Sequence, residues 1–230
     1  MVPKPILEVI ALNAFDARAA QDGGADRIEL VADMARDGLT PGIATFAAVQ
    51  AAVDLPVRVM LRDTSGYALS DATGLTAAAT ALRHAGAGQF VLGFLDSHGA
   101  VDLAALAPVL DAIGGCPWTF HRALDHAADR SAAWRALHGL PGLDCVLTAG
   151  GPGTVADGLA TLTTEAAGTG PRILAGGGLR PPHVAPLRAA GVDAFHTGGA
   201  VRPGGRWDVP VSADLVRAWR EHIDQPVAAG

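Results

Sequence analysis

The sequence predicts an α/β fold, a single (β/α)8 TIM barrel, from three observations. Eight short apolar runs alternate with eight Ala- and Leu-rich segments of helical spacing along 230 residues. The runs are nearly continuously apolar, which is typical of parallel strands covered by helices. Eight strand–helix units are the number that closes such a barrel, and no G-x-G-x-x-G follows the first run, which disfavours an open doubly wound sheet.

Each element follows from this alternation. The predicted strands are residues 5–12, 25–32, 57–62, 89–95, 117–124, 145–150, 172–177 and 194–198. The predicted helices are residues 14–23, 41–53, 70–86, 102–114, 127–139, 155–167, 181–191 and 212–224. Proline near helix starts (Pro41, Pro181) and glycine near helix ends (Gly23, Gly86) agree with these boundaries.

The chain reads as one domain over residues 1–230, because barrels of this kind reach that length without splitting. Neither a linker nor a low-complexity tract interrupts the alternation. Residues 225–230 are predicted to form a frayed tail.

Composition excludes several classes of function. A net charge of −6 disfavours nucleic-acid binding, and no apolar run approaches the roughly 18 residues of a membrane span. The first residues lack the pattern of a signal peptide, and the two cysteines lack CxxC spacing. We therefore expect a soluble cytoplasmic protein without nucleic-acid or membrane partners.

Polar residues share one parity in several strands. Arg27 alternates with Ile28 and Glu29 with Leu30, and the same alternation marks four other strands. Because the apolar parity must pack against the helices, the polar parity points into the barrel. The predicted lumen-facing polar residues are Glu8, Arg27, Glu29, Arg58, Arg62, Thr119, His121 and His196.

Two interpretations of this polar lumen stay open. Glu8 and Glu29 could form structural ion pairs with Arg27 and Arg58. Burying ionisable groups is expensive, however, and apolar packing would serve stability as well. Arg62, His121 and His196 also fall near the C-terminal ends of their strands, where barrel active sites form.

Two glycine-rich segments follow the last two strands. They are Ala175-Gly176-Gly177-Gly178 and Thr197-Gly198-Gly199-Ala200. Glycine lets backbone N–H groups approach an anion, and barrels often bind phosphate at these two loops. The alternative is that these glycines serve only tight turns.

The same residues carry a family resemblance. The segments are Leu7-Glu8-Val9, Gly24–Leu30 (GADRIEL), Gly38–Pro41 (GLTP), Thr119–Asp125 (TFHRALD), Val146-Leu147-Thr148 and Phe195-His196-Thr197. Over residues 5–200 this series resembles the copper homeostasis protein CutC family. The resemblance implies a cytoplasmic barrel, often a dimer, with a link to copper handling and no settled biochemical activity.

One departure from the family matters for copper. Some members have cysteine just after the Arg-x-Glu-Leu stretch, where this chain has Val31. Cu(I) favours thiolate and thioether ligands. Cys116 and Cys145 instead fall at the starts of two strands, at the end opposite the predicted site, and are interpreted as structural. Copper as a cofactor therefore depends on the resemblance alone.

Acid–base catalysis is the chemistry these residues predict. Lys4, the only lysine, precedes the first strand, which argues against a Schiff-base aldolase. We expect Glu8 or Glu29 as base and His121 as acid, with Arg62 and Arg122 holding a small anionic substrate. Isomerisation, epimerisation or lyase chemistry on a possibly phosphorylated molecule would fit. The predicted catalytic residues are Glu8, Glu29, Arg62, His121, Arg122 and His196; the predicted anion-binding residues are Thr148, Gly176, Gly177, Gly178, Thr197, Gly198 and Gly199.

A metal site is the third interpretation. Glu8, Glu29, His121 and His196 could instead hold a divalent ion such as Mn²⁺ or Zn²⁺. A binding role without turnover is also open.

A few further residues are weaker candidates. Tyr67 is predicted in a loop that could close over the pocket. Asp125 is predicted to cap a helix or orient Arg122, and His126 to lie at the surface. Trp207 could cover the pocket or form a dimer contact.

Overall fold

The computed structural model describes residues 4–226, and these form a closed barrel of eight parallel strands. Each strand pairs with the next in sequence, and β8 returns to pair with β1, with Glu8 opposite His196. The strands are β1 (Ile6–Ala11), β2 (Arg27–Leu30), β3 (Val57–Met60), β4 (Gln89–Leu92), β5 (Trp118–Phe120), β6 (Leu143–Thr148), β7 (Arg172–Ala175) and β8 (Ala194–Thr197). This confirms the predicted fold class.

An α-helix follows each strand and covers the outside of the barrel. The helices are α1 (Ala14–Asp22), α2 (Ile43–Gln50), α3 (Ala72–His84), α4 (Leu103–Ile113), α5 (Arg130–Leu137), α6 (Val155–Ala166), α7 (Pro181–Ala189) and α8 (Ala213–Asp224). Side-chain caps begin several of them: Asp71, Asp102 and Asp129 each accept a hydrogen bond from a backbone N–H of the first turn. None of the helices within residues 4–226 is long and apolar enough to cross a membrane.

The predicted boundaries are correct to within a few residues except around β5. That strand was predicted to run to residue 124, yet it ends at Phe120, and Arg122–His126 form a 3₁₀ helix. The side chain of His121 accepts a hydrogen bond from the Ala123 N–H and so ends the strand. This helix displaces the start of α5 from residue 127 to Arg130. The predicted frayed tail is described only at residues 225–226, and residues 227–230 lie outside the described part.

The two parities of the strands separate as the alternation predicts. Leu7, Val9, Ile28 and Leu30 belong to the large apolar cluster between strands and helices. The opposite parity fills the lumen, where Ile10, Val31, Met60 and Val91 form a small apolar cluster near the strands' C-terminal ends. Glu8, Arg27, Glu29, Arg58, Thr119 and His196 are all buried in the same lumen.

The arginines near the starts of the strands are held by ion pairs. Arg27 donates to Glu8 at 2.5 Å, as one interpretation of the lumen expected. Arg58 pairs with Asp144 at 2.5 Å and also donates to Thr119 and Gln89. The expected pairing of Arg58 with a glutamate is therefore wrong, because Asp144 of β6 reaches it across the barrel.

Helix α6 lies unusually close to the loop after β6. A Cβ atom on Gly158 would stand 2.0 Å from the carbonyl oxygen of Ala149, and one on Gly150 would stand 2.3 Å from the Gly158 carbonyl oxygen. Two glycines therefore allow the helix and the loop to meet backbone to backbone. This contact fixes the β6–α6 loop beneath the candidate site.

Candidate functional site

A cavity of about 570 Å³ opens at the C-terminal ends of the strands. Ten of the thirteen residues predicted for the site line it: Glu29, Arg62, His121, Arg122, Gly177, Gly178, His196, Thr197, Gly198 and Gly199. The other three, Glu8, Thr148 and Gly176, do not line the cavity and lie behind its wall. The cavity has the position that barrel active sites occupy.

Thr148 does not fit the predicted anion-binding role. Its side chain is fully buried, its hydroxyl donates to Asp125, and it accepts hydrogen bonds from Arg130 and from the Gly150 N–H. All of its hydrogen-bonding capacity is thus used within the protein. Thr148 stabilises the loop after β6 rather than contacting a ligand.

Gly176 also lies behind the cavity wall. Its N–H donates to the carbonyl oxygen of Thr148, and a Cβ there would stand 2.7 Å from Leu147 and 2.9 Å from His196. The glycine is required because the strand passes close to the His196 ring. Its N–H is not available to an anion.

Glu8 and His196 form the fixed part of the site. Glu8 Oε1 lies 2.8 Å from His196 Nδ1, and Glu8 Oε2 accepts from Arg27. Burial alone would raise the pKa of Glu8, but Arg27 and the hydrogen bond with His196 outweigh it and hold that pKa at about 2. Burial likewise lowers the pKa of His196, yet the charge of Glu29 and the bond with Glu8 raise it overall. Glu8 is therefore an anion that orients the imidazole of His196 through Nδ1.

Glu29 is the carboxylate that faces the cavity. Its Oε2 lies 3.8 Å from His196 Nε2, whereas its Oε1 is buried without a hydrogen-bond partner among the described residues. Burial raises the pKa of Glu29 to about 7, and the negative charge of Glu8 acts in the same direction. A carboxylate with this pKa can both accept and release a proton near neutral pH.

His121 is a neutral ring at the opposite side of the barrel. Burial lowers the pKa of His121 to about 3, and the charge of Arg62 adds to this effect. Its Nδ1 accepts from the Ala123 N–H at 3.2 Å, while its Nε2 is buried without a partner in the described chain. This pKa favours the neutral form of His121 at neutral pH.

Arg62 serves mainly to hold loops. Its guanidinium donates to the carbonyl oxygens of Asp37 at 2.8 Å, Ser65 at 2.5 Å and Gly66 at 3.3 Å. It also lies 5.1 Å from the centre of the Tyr67 ring, which lines the cavity. Since each of its three guanidinium nitrogens already donates to a carbonyl, Arg62 contributes positive charge more than new hydrogen bonds to a ligand.

Arg122 is the better-placed cation. Its Nε donates to Asp125 at 2.8 Å and its Nη2 to the Gly153 carbonyl oxygen at 2.8 Å, which leaves Nη1 without a partner in residues 4–226. Asp125 is buried, also pairs with Arg130 and accepts from the Ala149 N–H. Asp125 thus orients Arg122, one of the two roles expected for it.

The two glycine loops line the same cavity, and the first of them lies against this arginine. Gly177 and Gly178 have φ of 94° and 69°, and a Cβ on Gly177 would lie 2.8 Å from the Arg122 guanidinium carbon. In the described chain, the N–H groups of Gly177, Gly178, Gly198 and Gly199 donate to no backbone acceptor. Free N–H groups beside an arginine suit an anionic ligand.

Several cavity residues were missed or ranked low from the sequence. Met34 and Asp37, in the loop after β2, line the cavity, as do His126 and Trp207. His126 is exposed, as expected, but stacks on Tyr67 with ring centres 4.7 Å apart. Trp207 lies against Gly198 and is contacted by the Arg202 guanidinium at 5.0 Å. These residues lie in loops whose path follows no sequence periodicity.

The proposed metal ligands are only partly brought together. Glu8, Glu29 and His196 offer ligand atoms within 4.8 Å of one another, and His121 is not part of this group. Glu8 is already bonded to Arg27 and to His196. Within the described part of the chain, this group then offers two free ligands, Glu29 and Nε2 of His196, fewer than the three protein ligands of a typical catalytic zinc site.

Among residues 4–226, no cysteine thiolate lines the cavity. Cys145 is buried beside Arg27, with Sγ 3.9 Å from Nη2, in a separate cavity at the opposite end of the barrel. Cys116 lies just before β5, at the same end. Among the described lining residues the soft donors are the thioethers of Met34 and Met60. The donor set does not fit a thiolate copper site.

Comparison with known proteins gives a consistent set of relatives. The profile of the CutC family matches residues 6–201. A "family protein CutC" of Klebsiella pneumoniae (strain 342) is 35% identical over 196 residues, which is 84% of this chain and 79% of that protein. One from Xanthomonas axonopodis pv. citri (strain 306) is 37% identical over 199 residues, covering 83% of this chain and 81% of the relative.

A solved structure agrees with these relatives in fold. It is the crystal structure of a protein of Streptococcus agalactiae described as copper homeostasis protein CutC. It superposes with a TM-score of 0.76 at 22% identity and covers 84% of this chain and 98% of that one. At this identity the likeness concerns the fold.

Proposed function

This chain belongs to the CutC family, and from that premise we propose that it is an enzyme that moves protons on a small anionic substrate. The observation that carries the proposal is Glu29: an unpartnered, buried carboxylate oxygen at a cavity wall, with a pKa of about 7. A group titrating near the working pH serves best as general base or acid. Isomerase, epimerase or lyase chemistry would use it.

Glu29 is favoured over Glu8 as the base. Glu8 is held by Arg27 and His196 and has a pKa of about 2, so it is a weak proton acceptor. His196 stands 3.8 Å from Glu29 and has a raised pKa, so it can return a proton to the substrate. The pair divides the roles of base and acid.

The anionic part of the substrate would bind to Arg122 and to the glycine loops that line the cavity. Arg122 offers Nη1, and the loops at Gly177–Gly178 and Gly198–Gly199 offer free N–H groups. A phosphate group would suit this combination of one guanidinium and several backbone donors.

Proton exchange in D₂O tests this proposal. The protein is incubated with phosphorylated aldoses and ketoses and with 2-hydroxy acids, and loss of a C–H signal is followed by NMR. We expect exchange with at least one compound and its loss in Glu29→Gln, while Glu221→Gln, an exposed glutamate of α8, behaves as wild type. Absence of exchange throughout the panel, or full exchange in Glu29→Gln, would refute the proposal.

A role in copper handling without turnover is the second candidate. It is suggested by the description of the solved relative as a copper homeostasis protein and by the thioethers of Met34 and Met60 at the cavity. Competition with a Cu(I) chelator tests it: binding lost in Met34→Leu and Met60→Leu would favour this function.

We also propose a cytoplasmic homodimer. Phe15 of α1 is 85% exposed and Ile43 of the neighbouring α2 is 48% exposed. Contact with a second copy would remove their apolar surface from water. Light scattering of wild type and Phe15→Ser measures the oligomeric state, and localisation needs fractionation of cells.

A further inference from the structure

The tautomer of His121 follows from its own hydrogen bond. Nδ1 accepts from the Ala123 N–H at 3.2 Å, so this nitrogen carries no hydrogen. A neutral imidazole has one N–H, which must then be on Nε2. The structure therefore presents a hydrogen-bond donor at Nε2.

This donor has no partner within the described chain. Nε2 is buried and makes no hydrogen bond to residues 4–226, and the ring lines the cavity at the C-terminal ends of the strands. A buried N–H without an acceptor is unfavourable, because its hydration is lost and not replaced. An acceptor supplied by a ligand would satisfy it.

The surroundings hold the ring in place and keep it neutral. Gly93, just after β4, makes room for it, since a Cβ there would stand 2.9 Å from Nδ1. Phe120 and Tyr67 contact the ring at centre distances of 6.1 and 5.8 Å. The charged or titratable groups that act on it are Arg62 and His126, and both, like burial, lower the pKa of His121.

We propose that Nε2–H of His121 donates to a carbonyl oxygen of the substrate, which makes the substrate an anionic aldehyde or ketone with an acidic neighbouring C–H. The inference rests on the proposed function of Glu29 and narrows its substrate class. An imidazole that is already neutral can donate a hydrogen bond to a developing oxyanion without having to be protonated first.

The proposed reaction passes through an enolate of the substrate. Glu29 removes the proton from carbon, the C–H electron pair forms a carbon–carbon double bond, and the carbonyl electrons move to oxygen. His121 Nε2–H donates to that oxyanion and keeps its proton. Return of the proton from Glu29 to the same carbon completes exchange. In a 2-hydroxy aldehyde or ketone, isomerisation needs in addition that the hydroxyl proton moves to the former carbonyl oxygen, after which Glu29 returns its proton to the former carbonyl carbon.

Two readouts test the donor. In the first, the ¹⁵N shifts of the His121 ring are followed from pH 4 to 8, with exposed His84 as internal reference. We expect a neutral Nε2–H ring over this range. A ring that titrates near pH 6.5, or that carries its hydrogen on Nδ1, would overturn the inference without any measurement of activity.

The second readout compares two ligands of similar charge, phosphoglycolohydroxamate, which mimics an enediolate, and glycerol 3-phosphate, which has no carbonyl. We expect wild type to prefer the hydroxamate, and His121→Leu to lose this preference and about 100-fold in exchange rate, the usual effect of removing one oxyanion donor. His121→Gln, which keeps an N–H donor, should recover part of both, and His84→Leu should match wild type.

The outcomes separate the two proposals. Exchange that needs Glu29 but is unchanged in His121→Leu would overturn this inference and leave the proposed function standing. No exchange in wild type with any compound would refute the proposed function. An equal affinity of wild type for the two ligands would overturn the carbonyl assignment.

Discussion

Nδ1 of His196 lies 2.8 Å from Oε1 of Glu8, a contact between the last and the first strand of the barrel. The other oxygen of Glu8 accepts from Arg27 of β2. One fully buried carboxylate therefore connects three adjacent strands and carries the imidazole that faces Glu29.

Replacing Glu8 should destabilise the barrel strongly. In Glu8→Gln the buried Arg27 loses its counter-charge, and removal of one partner of a buried pair costs about 3–5 kcal/mol. Urea denaturation measures the loss, with Glu221→Gln as a matched control at the surface. Equal midpoints for the two variants would contradict this account of the lumen.

Glu29 should make stability depend on pH in the opposite sense to an ordinary carboxylate. Its pKa of about 7 in the folded protein exceeds its usual 4.5, so the folded state binds more protons between these values. The stabilisation of the folded state by protonated Glu29 is fully present below about pH 4.5 and is lost as the pH rises through 7. Glu29→Gln should therefore be more stable than wild type at pH 8, by about 3 kcal/mol.

Thermal unfolding at pH 5 and pH 8 checks this prediction. The difference in Tm between Glu29→Gln and wild type should grow as the pH rises. A difference that shrinks would mean that Glu29 is stabilised as an anion, and the same result would weaken its assignment as base.

Asp125 should control anion binding through Arg122. In Asp125→Asn the Arg122 Nε loses its charged partner and the guanidinium loses its fixed position against Gly177. We expect phosphate affinity, measured by calorimetry, to fall about 10-fold, which is the loss of roughly one charge-assisted hydrogen bond. Asp208→Asn, in an exposed pair with Arg206, should bind as wild type does.

Gly158 offers a test of the α6 contact. Alanine normally favours a helix interior by about 1 kcal/mol over glycine. Here the added Cβ would meet the Ala149 carbonyl oxygen, so Gly158→Ala should destabilise by about 1–3 kcal/mol or more. Gly151→Ala, where a Cβ would have no neighbour within 4 Å, should leave the unfolding midpoint unchanged.

The fold and the family were predictable because both depend on patterns local to each strand. In the strands that alternate, the apolar residues face the helices and the polar residues face the lumen, as Leu7 and Glu8 illustrate. The comparisons confirm the resemblance to the CutC family. The side of the strand on which a residue lies can be predicted from the residues next to it in sequence.

The details of the site were harder to predict because they depend on partners far away in sequence. Arg58 pairs with Asp144, which is 86 residues away in sequence. The hydroxyl of Thr148 is hydrogen-bonded to Asp125 and Arg130. His121 has the parity of a strand residue, but its own cap to Ala123 ends that strand. Parity indicates which way a side chain points and not whether its hydrogen bonds are already satisfied.

The contact between Glu8 and His196 spans 188 residues and exists only when the ring of strands is complete. A chain that has formed β1 to β7 but not β8 would bury Glu8 with Arg27 as a partner and without His196. Because an incompletely paired buried charge is costly, such an intermediate should not accumulate during folding. Closure of the barrel and assembly of the site are then one event, so a chain truncated before β8 should lose the cooperative structure of the whole barrel.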